Sequence, residues 1–381
     1  MSAGLVLLFA AASARAAAPS VPAARADAPR YAPDARIELL GVLQLLAGRR
    51  PDLPADAAYL KAVERSFSAA KDDPAVALYR ELSDAPGGEG LGVALLYFTE
   101  PPELAPRALS AAPPYFGDDP RRLETALAAL RAFAKKRRFA AFYRAHASDY
   151  ARASAAARAA LGVEDPQAAL EAYLGLSLDA TSRWIVSPLY VPPMRGSFII
   201  PYPDPAFLHD PGAAPFEVYT MVAYAPGATV MGPRVTQLHR SALWQEPLFV
   251  FVDPALAAFD AGLGVSAEKF YGPEIAACRR QAADCVKSWL IGALARRLDA
   301  VAFGAPSTGF DGSDPARERW TLKLAQRLEE YESDRKRWPT LWDFLPRLLA
   351  VFPEDAGLKA PPAAARAPVA RVKQLFPGAR P

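Results

Sequence analysis

Cysteine and histidine are scarce in this chain: Cys278 and Cys285, with His146, His209 and His239, among 381 residues. Two cysteines exclude a disulfide-framed scaffold, and without a C-x-x-C pair they exclude a cysteine zinc site. If Cys278 and Cys285 share a helix, their Cα atoms stand about 10 Å apart, too far for a bridge. The intervening Gln281-Ala282-Ala283 holds no turn former, so two buried or half-buried thiols are expected, with oxidation of the pair in an exported protein as the alternative if the segment is not helical. Scattered histidines exclude the H-E-x-x-H metal motif, in which two imidazoles at i and i+4 meet one Zn²⁺. His209, in F-L-H-D-P-G, reads as a turn residue, His239 as a surface or partner-bonded one, and His146 as structural or exposed. No G-x-S-x-G, Walker or G-x-G-x-x-G pattern offers another chemistry.

Charge of one sign is lacking as well. The formal net charge is +3 and the basic residues are dispersed, which excludes the concentrated field expected of a nucleic-acid binder. The run Lys135-Lys136-Arg137-Arg138 reads as a solvated face. No stretch approaches the ~20 apolar residues that span a bilayer, so no transmembrane segment is expected in the mature chain. At the N-terminus an apolar run from Leu5 to Ala12 precedes Ala14-Arg15-Ala16 and Ala24-Arg25-Ala26. This is the pattern of a secretory signal, so residues 1–26 are expected to be signal peptide and linker and the protein secreted or periplasmic.

What is present is alanine-rich apolar sequence, 52% hydrophobic overall, cut by 38 prolines and 23 glycines into short elements. A helix is predicted over 35–49, with Asp34 as N-cap, Gly48 as stop and apolar residues on a broad face. A second covers about 55–71 with Tyr59, Val63 and Phe67 on one stripe, and a third runs from Pro74 through Leu82. Gly87 to Gly92 reads as a loop, and 120–160 as a long helical region. Aromatic and β-branched runs from Trp184 to Tyr224 read as about three strands. Helical character resumes over 234–244. Further helices are expected at 273–298, 316–331 and 340–352, and a disordered tail at 357–381. The fold class is α+β: mainly helical with a small central antiparallel sheet, in a helical lobe at 34–180 and a second lobe at 181–353.

Four segments carry a resemblance to a known family. They are R-I-E-L-L-G-V-L-Q-L-L-A-G at 36–48, W-I-V-S-P-L-Y from Trp184, Q-E-P-L-F-V-F-V-D-P at 245–254, and Y-E-S-D-R-K-R-W-P-T-L-W-D-F-L-P-R at 331–347. In order and spacing they resemble the exported bacterial domain-of-unknown-function family numbered 4932, over roughly residues 34–353. The resemblance implies a gluzincin-like metallopeptidase architecture. Where family members read H-E-F-S-H-S-F-V-N-P, this chain places Gln245 and Phe249 at the histidines and keeps Glu246. The family's downstream E-x-L-V-R-A falls on Ser288 to Ala293, so Ser288 stands at the third ligand and Gly292 at the arginine.

A carboxamide is a poor zinc ligand and a phenyl ring is none. With Gln245, Phe249 and Ser288 at the three ligand positions, no metal or other cofactor is expected. Pro247 further argues against an undisturbed metal-bearing helix, at a cost of ~3 kcal/mol in a helix interior. Phe249 to Val252 read as core filling. The leading expectation is thus an exported, catalytically inactive relative that keeps its fold and a groove for a peptide or protein. Two alternatives stand beside it. One is an active hydrolase rebuilt around a buried Glu246 with His239 or Asp284, since burial raises a carboxyl pKa toward neutrality. The other is a structural protein of the envelope.

Overall fold

The computed structural model describes residues 31–49, 56–84, 90–107, 120–176, 180–189, 198–199, 216–223, 282–305 and 315–355, with scattered helical residues between 243 and 271. The expected signal segment, the 357–381 tail, Cys278, His209 and His239 lie outside the described residues.

The first strand, β1 (Tyr31–Ala32), leads directly into α1 (Ala35–Leu46). Asp34 caps this helix by accepting from the Arg36 amide, and Gly48 ends it at φ 85°. Apolar side chains surround α1 on all sides, and all but one of its residues are buried. A helix apolar all round belongs inside a protein. Accordingly α1 touches α2 (Ala57–Phe67), α3 (Pro74–Asp84), α4 (Gly90–Leu95), α6 (Phe139–Ala145) and the strand β2 (Ala180–Ser187). The Tyr59, Val63 and Phe67 stripe of α2 is buried as predicted. Gly90 to Gly92 are helical rather than loop, because Leu91 and Val93 to Leu95 draw the segment into the same core.

The region predicted as one long helix is broken into three: α5 (Pro120–Lys136), α6 and α7 (Ala147–Leu161). Arg138 takes a left-handed conformation at φ 54° at the first break, next to the basic run. Lys135, Lys136 and Arg138 are exposed as expected of a solvated face. Lys136 and Arg137 both approach Asp73, at 3.6 Å. A short helix α8 (Pro166–Leu174) follows, capped by the Asp165 carboxylate.

The sheet has the order β1-β2-β4-β3, with β3 at Phe198–Ile199 and β4 at Phe216–Ala223. The expected antiparallel sheet requires correction. β2 pairs in parallel with β1 on one side and with β4 on the other, and the β3–β4 pairing alone is antiparallel. Parallel neighbours need long crossovers, and the β1 to β2 connection holds α1 through α8. The sign of this in the sequence was the unbroken W-I-V run. Trp184, Ile185 and Val186 are all buried because both faces of β2 are covered, which is the habit of parallel strands. Trp184 and Val186 join one hydrophobic cluster and Ile185 the other.

The cluster on the Ile185 face contains α1 to α6. The cluster on the Trp184 face contains Tyr31, α8, and the C-terminal helices α9 (Ala282–Phe303), α10 (Pro315–Ser333), α11 (Leu341–Leu349) and α12 (Val351–Asp355). The division falls inside α7, whose Tyr150 belongs to the first cluster and whose Ala153, Ala157 and Leu161 belong to the second. The protein is therefore mainly helical with a small sheet, and nothing in the described elements supports a gluzincin-like arrangement. No described helix is long and apolar enough to cross a membrane.

The segment at 331–347 owes its pattern to α8. Arg335 donates to the carbonyls of Tyr173 (2.6 Å) and Ala172 (3.1 Å), and the Tyr331 hydroxyl also donates to the Tyr173 carbonyl (2.7 Å). These bonds satisfy carbonyls that the end of a helix leaves open. The Arg335 guanidinium lies over the Tyr331 ring at 4.1 Å. On the same side Tyr173 donates to Glu332, which Arg297 of α9 also grips. Thr340 then starts α11 with a reciprocal capping box to Asp343.

Candidate functional site

Among the described residues, two regions bear on the chemistry expected from the sequence. The first is the stretch whose sequence resembles a lost metal motif. Helical backbone is described at 243–245, 247–248 and 251–252. Pro247 and Leu248 are themselves helical, so the proline does not end helical structure there. Leu243, Trp244, Leu248, Phe251 and Val252 are fully buried in the cluster shared with α9, α10 and α11. Gln245 is half-buried beside them. Glu246 and Phe249 lie outside the described residues.

Ser288 is half-buried in the first half of α9. The contact that ties residue 244 to this helix lies further along it: the Trp244 indole N–H donates to the buried Asp299 carboxylate at 2.7 Å. Residue 299 is about 16 Å along the axis from Ser288, at 1.5 Å per residue. The segment is thus anchored to the opposite half of α9 from the one carrying Ser288. Asp284 sits in the first turn of α9. Cys285, half-buried one residue on, matches the expectation for a small inward-leaning thiol.

The second region is built on α1. Glu38 is 1% exposed. The Tyr59 hydroxyl of α2 donates to its Oε1 at 2.6 Å, and the Ser187 hydroxyl at the end of β2 donates to its Oε2 at 2.9 Å. Tyr59 in turn shares a hydrogen bond of 2.7 Å with the Tyr150 hydroxyl of α7. Because Tyr59 gives its proton to Glu38, Tyr150 is the donor in that bond whenever Glu38 is ionised. Burial pushes the Glu38 carboxyl up to about 7, against the downward pull of the Tyr59 and Ser187 hydrogen bonds. Burial likewise raises the phenols of Tyr59, Tyr150 and Tyr143 well above their ordinary values.

The neighbouring charges are engaged elsewhere. Arg36, two residues before Glu38, pairs with Asp34 and donates to the carbonyls of Leu96 (3.1 Å) and Phe98 (2.7 Å). Burial alone would lower its pKa, but the bond and charge of Asp34 carry it higher. Its guanidinium also lies 5.7 Å from the Tyr219 ring of β4, whose hydroxyl receives a bond from Arg107 at 3.1 Å. His146, between α6 and α7, is held by Asp149 at 2.6 Å and packs edge-on against Tyr59. It is a structural histidine, as expected.

No family model, curated protein or solved structure matches the chain. Among the described residues, no three histidine, cysteine, aspartate or glutamate side chains group so as to hold a metal ion. The structure brings together Glu38, Tyr59, Tyr150 and Ser187, residues that no sequence spacing connects. One local sign was available. Glu38 sits in a helix with apolar residues on every face, so its carboxylate had no solvent side to turn to.

Proposed function

We propose that this chain is an exported, catalytically inactive relative of the zinc-metallopeptidase-like family numbered 4932, retained for binding a peptide or protein. Its sequence carries Gln245, Phe249 and Ser288 where that family places its metal ligands. The observation that carries the reading is the packing of the described residues around Gln245. Leu243, Trp244, Leu248, Phe251 and Val252 have no solvent exposure and fill a core shared with the C-terminal helices. A hydrolytic zinc centre needs an open coordination position reached by water and substrate, whereas these side chains are committed to packing. The expected N-terminal signal assigns the protein to the periplasm or the exterior.

The test is a broad peptide-library assay of the purified full chain beside Glu246→Gln. Neither protein is expected to cleave above the buffer rate. Cleavage by the parent that Glu246→Gln abolishes would overturn the proposal in favour of a rebuilt hydrolase.

A further inference from the structure

We propose that Glu38, Tyr59, Tyr150 and Ser187 form a proton-operated latch that ties the helical layer to the central strand of the sheet, closed while Glu38 carries a proton and loosened when it ionises. Four elements meet in this cluster. Glu38 comes from α1, Tyr59 from α2, Tyr150 from α7 and Ser187 from the last position of β2. The bonds are buried, and they join residues far apart in sequence. They fasten an inner strand of the sheet to α1, a helix buried at all but one residue.

The latch responds to protons because of what surrounds the carboxyl. Glu38 has two neutral donors, Tyr59 and Ser187, and among the described residues no cationic partner. On α1, the Arg36 charge is spent on Asp34 and on two carbonyls. From the 96–107 segment, Arg107 is bonded to the Leu96 carbonyl and Tyr219 of β4, and Glu100 acts only at a distance, through Tyr143. From α6 comes Tyr143, whose ring packs on Tyr150 at 4.6 Å. At the start of α7, His146 and Arg152 are held by Asp149, and Arg152 also reaches Asp56 at the head of α2. An ionised Glu38 is thus a buried charge stabilised by two hydroxyls alone, which is a costly arrangement.

Protonation removes that cost without breaking the network. The carboxylic acid donates to the Tyr59 or Ser187 oxygen while its other oxygen still accepts. If Tyr59 is the acceptor, its own proton turns to the Tyr150 oxygen, so the Tyr59–Tyr150 bond reverses direction and the contact between the two hydroxyls is kept. The carboxyl's ordinary value of 4.5 rises to about 7 in the fold. The folded state therefore keeps a proton that the unfolded chain releases. The stabilising contribution is complete below about 4.5, declines as pH rises through 7, and is absent above it. Over that window the folding equilibrium shifts toward the unfolded chain as pH rises.

The test compares the full chain with Glu38→Gln in hydrogen exchange and chemical denaturation between pH 4.5 and 8. A glutamine keeps both contacts and cannot ionise. The parent is expected to lose stability relative to Glu38→Gln as pH rises, with amides of 184–187 and of α2 among the first to lose protection. A difference that stays constant across the range would overturn the latch. The parent's infrared spectrum gives a second reading that does not require the variant to fold. The carbonyl stretch of a protonated carboxylic acid should disappear with a midpoint near neutrality, and Tyr59→Phe or Ser187→Ala should move that midpoint up by about one unit, since each removes a donor to the carboxylate. A midpoint below 5, or one that neither substitution moves, would also overturn it.

Discussion

Gly175→Ala is expected to destabilise the fold by roughly 2–5 kcal/mol, measured by urea or guanidinium denaturation. Two effects combine. Gly175 closes α8 at φ 69°, and a left-handed conformation costs a residue with a side chain about 1–2 kcal/mol. An added Cβ would also lie well inside van der Waals contact of the Pro339 carbonyl oxygen and against the Arg335 guanidinium. Backbone at 339 cannot retreat cheaply, because Thr340 beside it begins α11 and Arg335 is fixed to the end of α8. Overpacking of that kind adds about 1–3 kcal/mol. Gly304→Ala separates the two effects, since Gly304 has a similar φ of 73° and open space where its Cβ would stand. It should cost only the conformational part. Equal losses for the two variants would refute the close approach of α8 to the segment before α11.

Trp244→Ala carries the other large effect, roughly 4–6 kcal/mol. Emptying the space of a fully buried indole costs about 3–5 kcal/mol, and the lost hydrogen bond to the Asp299 carboxylate adds about 1.5–3 kcal/mol, with incomplete additivity between them. Trp244→Phe keeps most of the volume and should lose chiefly the hydrogen bond. The pair of variants, compared in one denaturant series, reports how far the segment before Gln245 has become core. A loss below ~1 kcal/mol for Trp244→Ala would show that it has not.

Local features of this fold were legible in the sequence because they depend on neighbours in the chain. Asp34 and Gly48 bound α1, the Tyr59, Val63 and Phe67 stripe faces inward, and Thr340 starts α11. A helix was expected over part of α9, and Trp289, Leu290, Leu294 and Leu298 on it are all buried. The strands between 180 and 223 fell where strands were expected, but their order and direction were not legible, and β1 was not expected at all. Nothing near residues 180–187 in sequence states that β1 and β4 will lie on either side, and the W-I-V run was the one local sign that both faces would be covered. The 331–347 pattern could be recognised as a pattern, yet its cause, the carbonyls at the end of α8, lies about 160 residues away.

The same distance hid the buried polar cluster. Residues 38, 59, 150 and 187 share no spacing, and each has an ordinary local setting: three lie in separate helices and one at the end of a strand. Only the closing of α1 against β2 makes them one group. By contrast, the stretch at 245–254 drew attention through its likeness to a metal motif. Its described neighbours turn out to be core, with Trp244 held by Asp299 rather than turned toward the Ser288 end of α9.

The measurement that bears most directly on the proposed function is the zinc content of the full chain, purified without added metal and then dialysed after exposure to excess zinc. If Gln245, Phe249 and Ser288 stand at the family's ligand positions as proposed, retained zinc should fall far below one ion per chain and the melting temperature should not rise with zinc. One tightly held zinc per chain, lost in Gln245→Ala or Ser288→Ala, would contradict the reading of this protein as a packed and metal-free relative of a peptidase family.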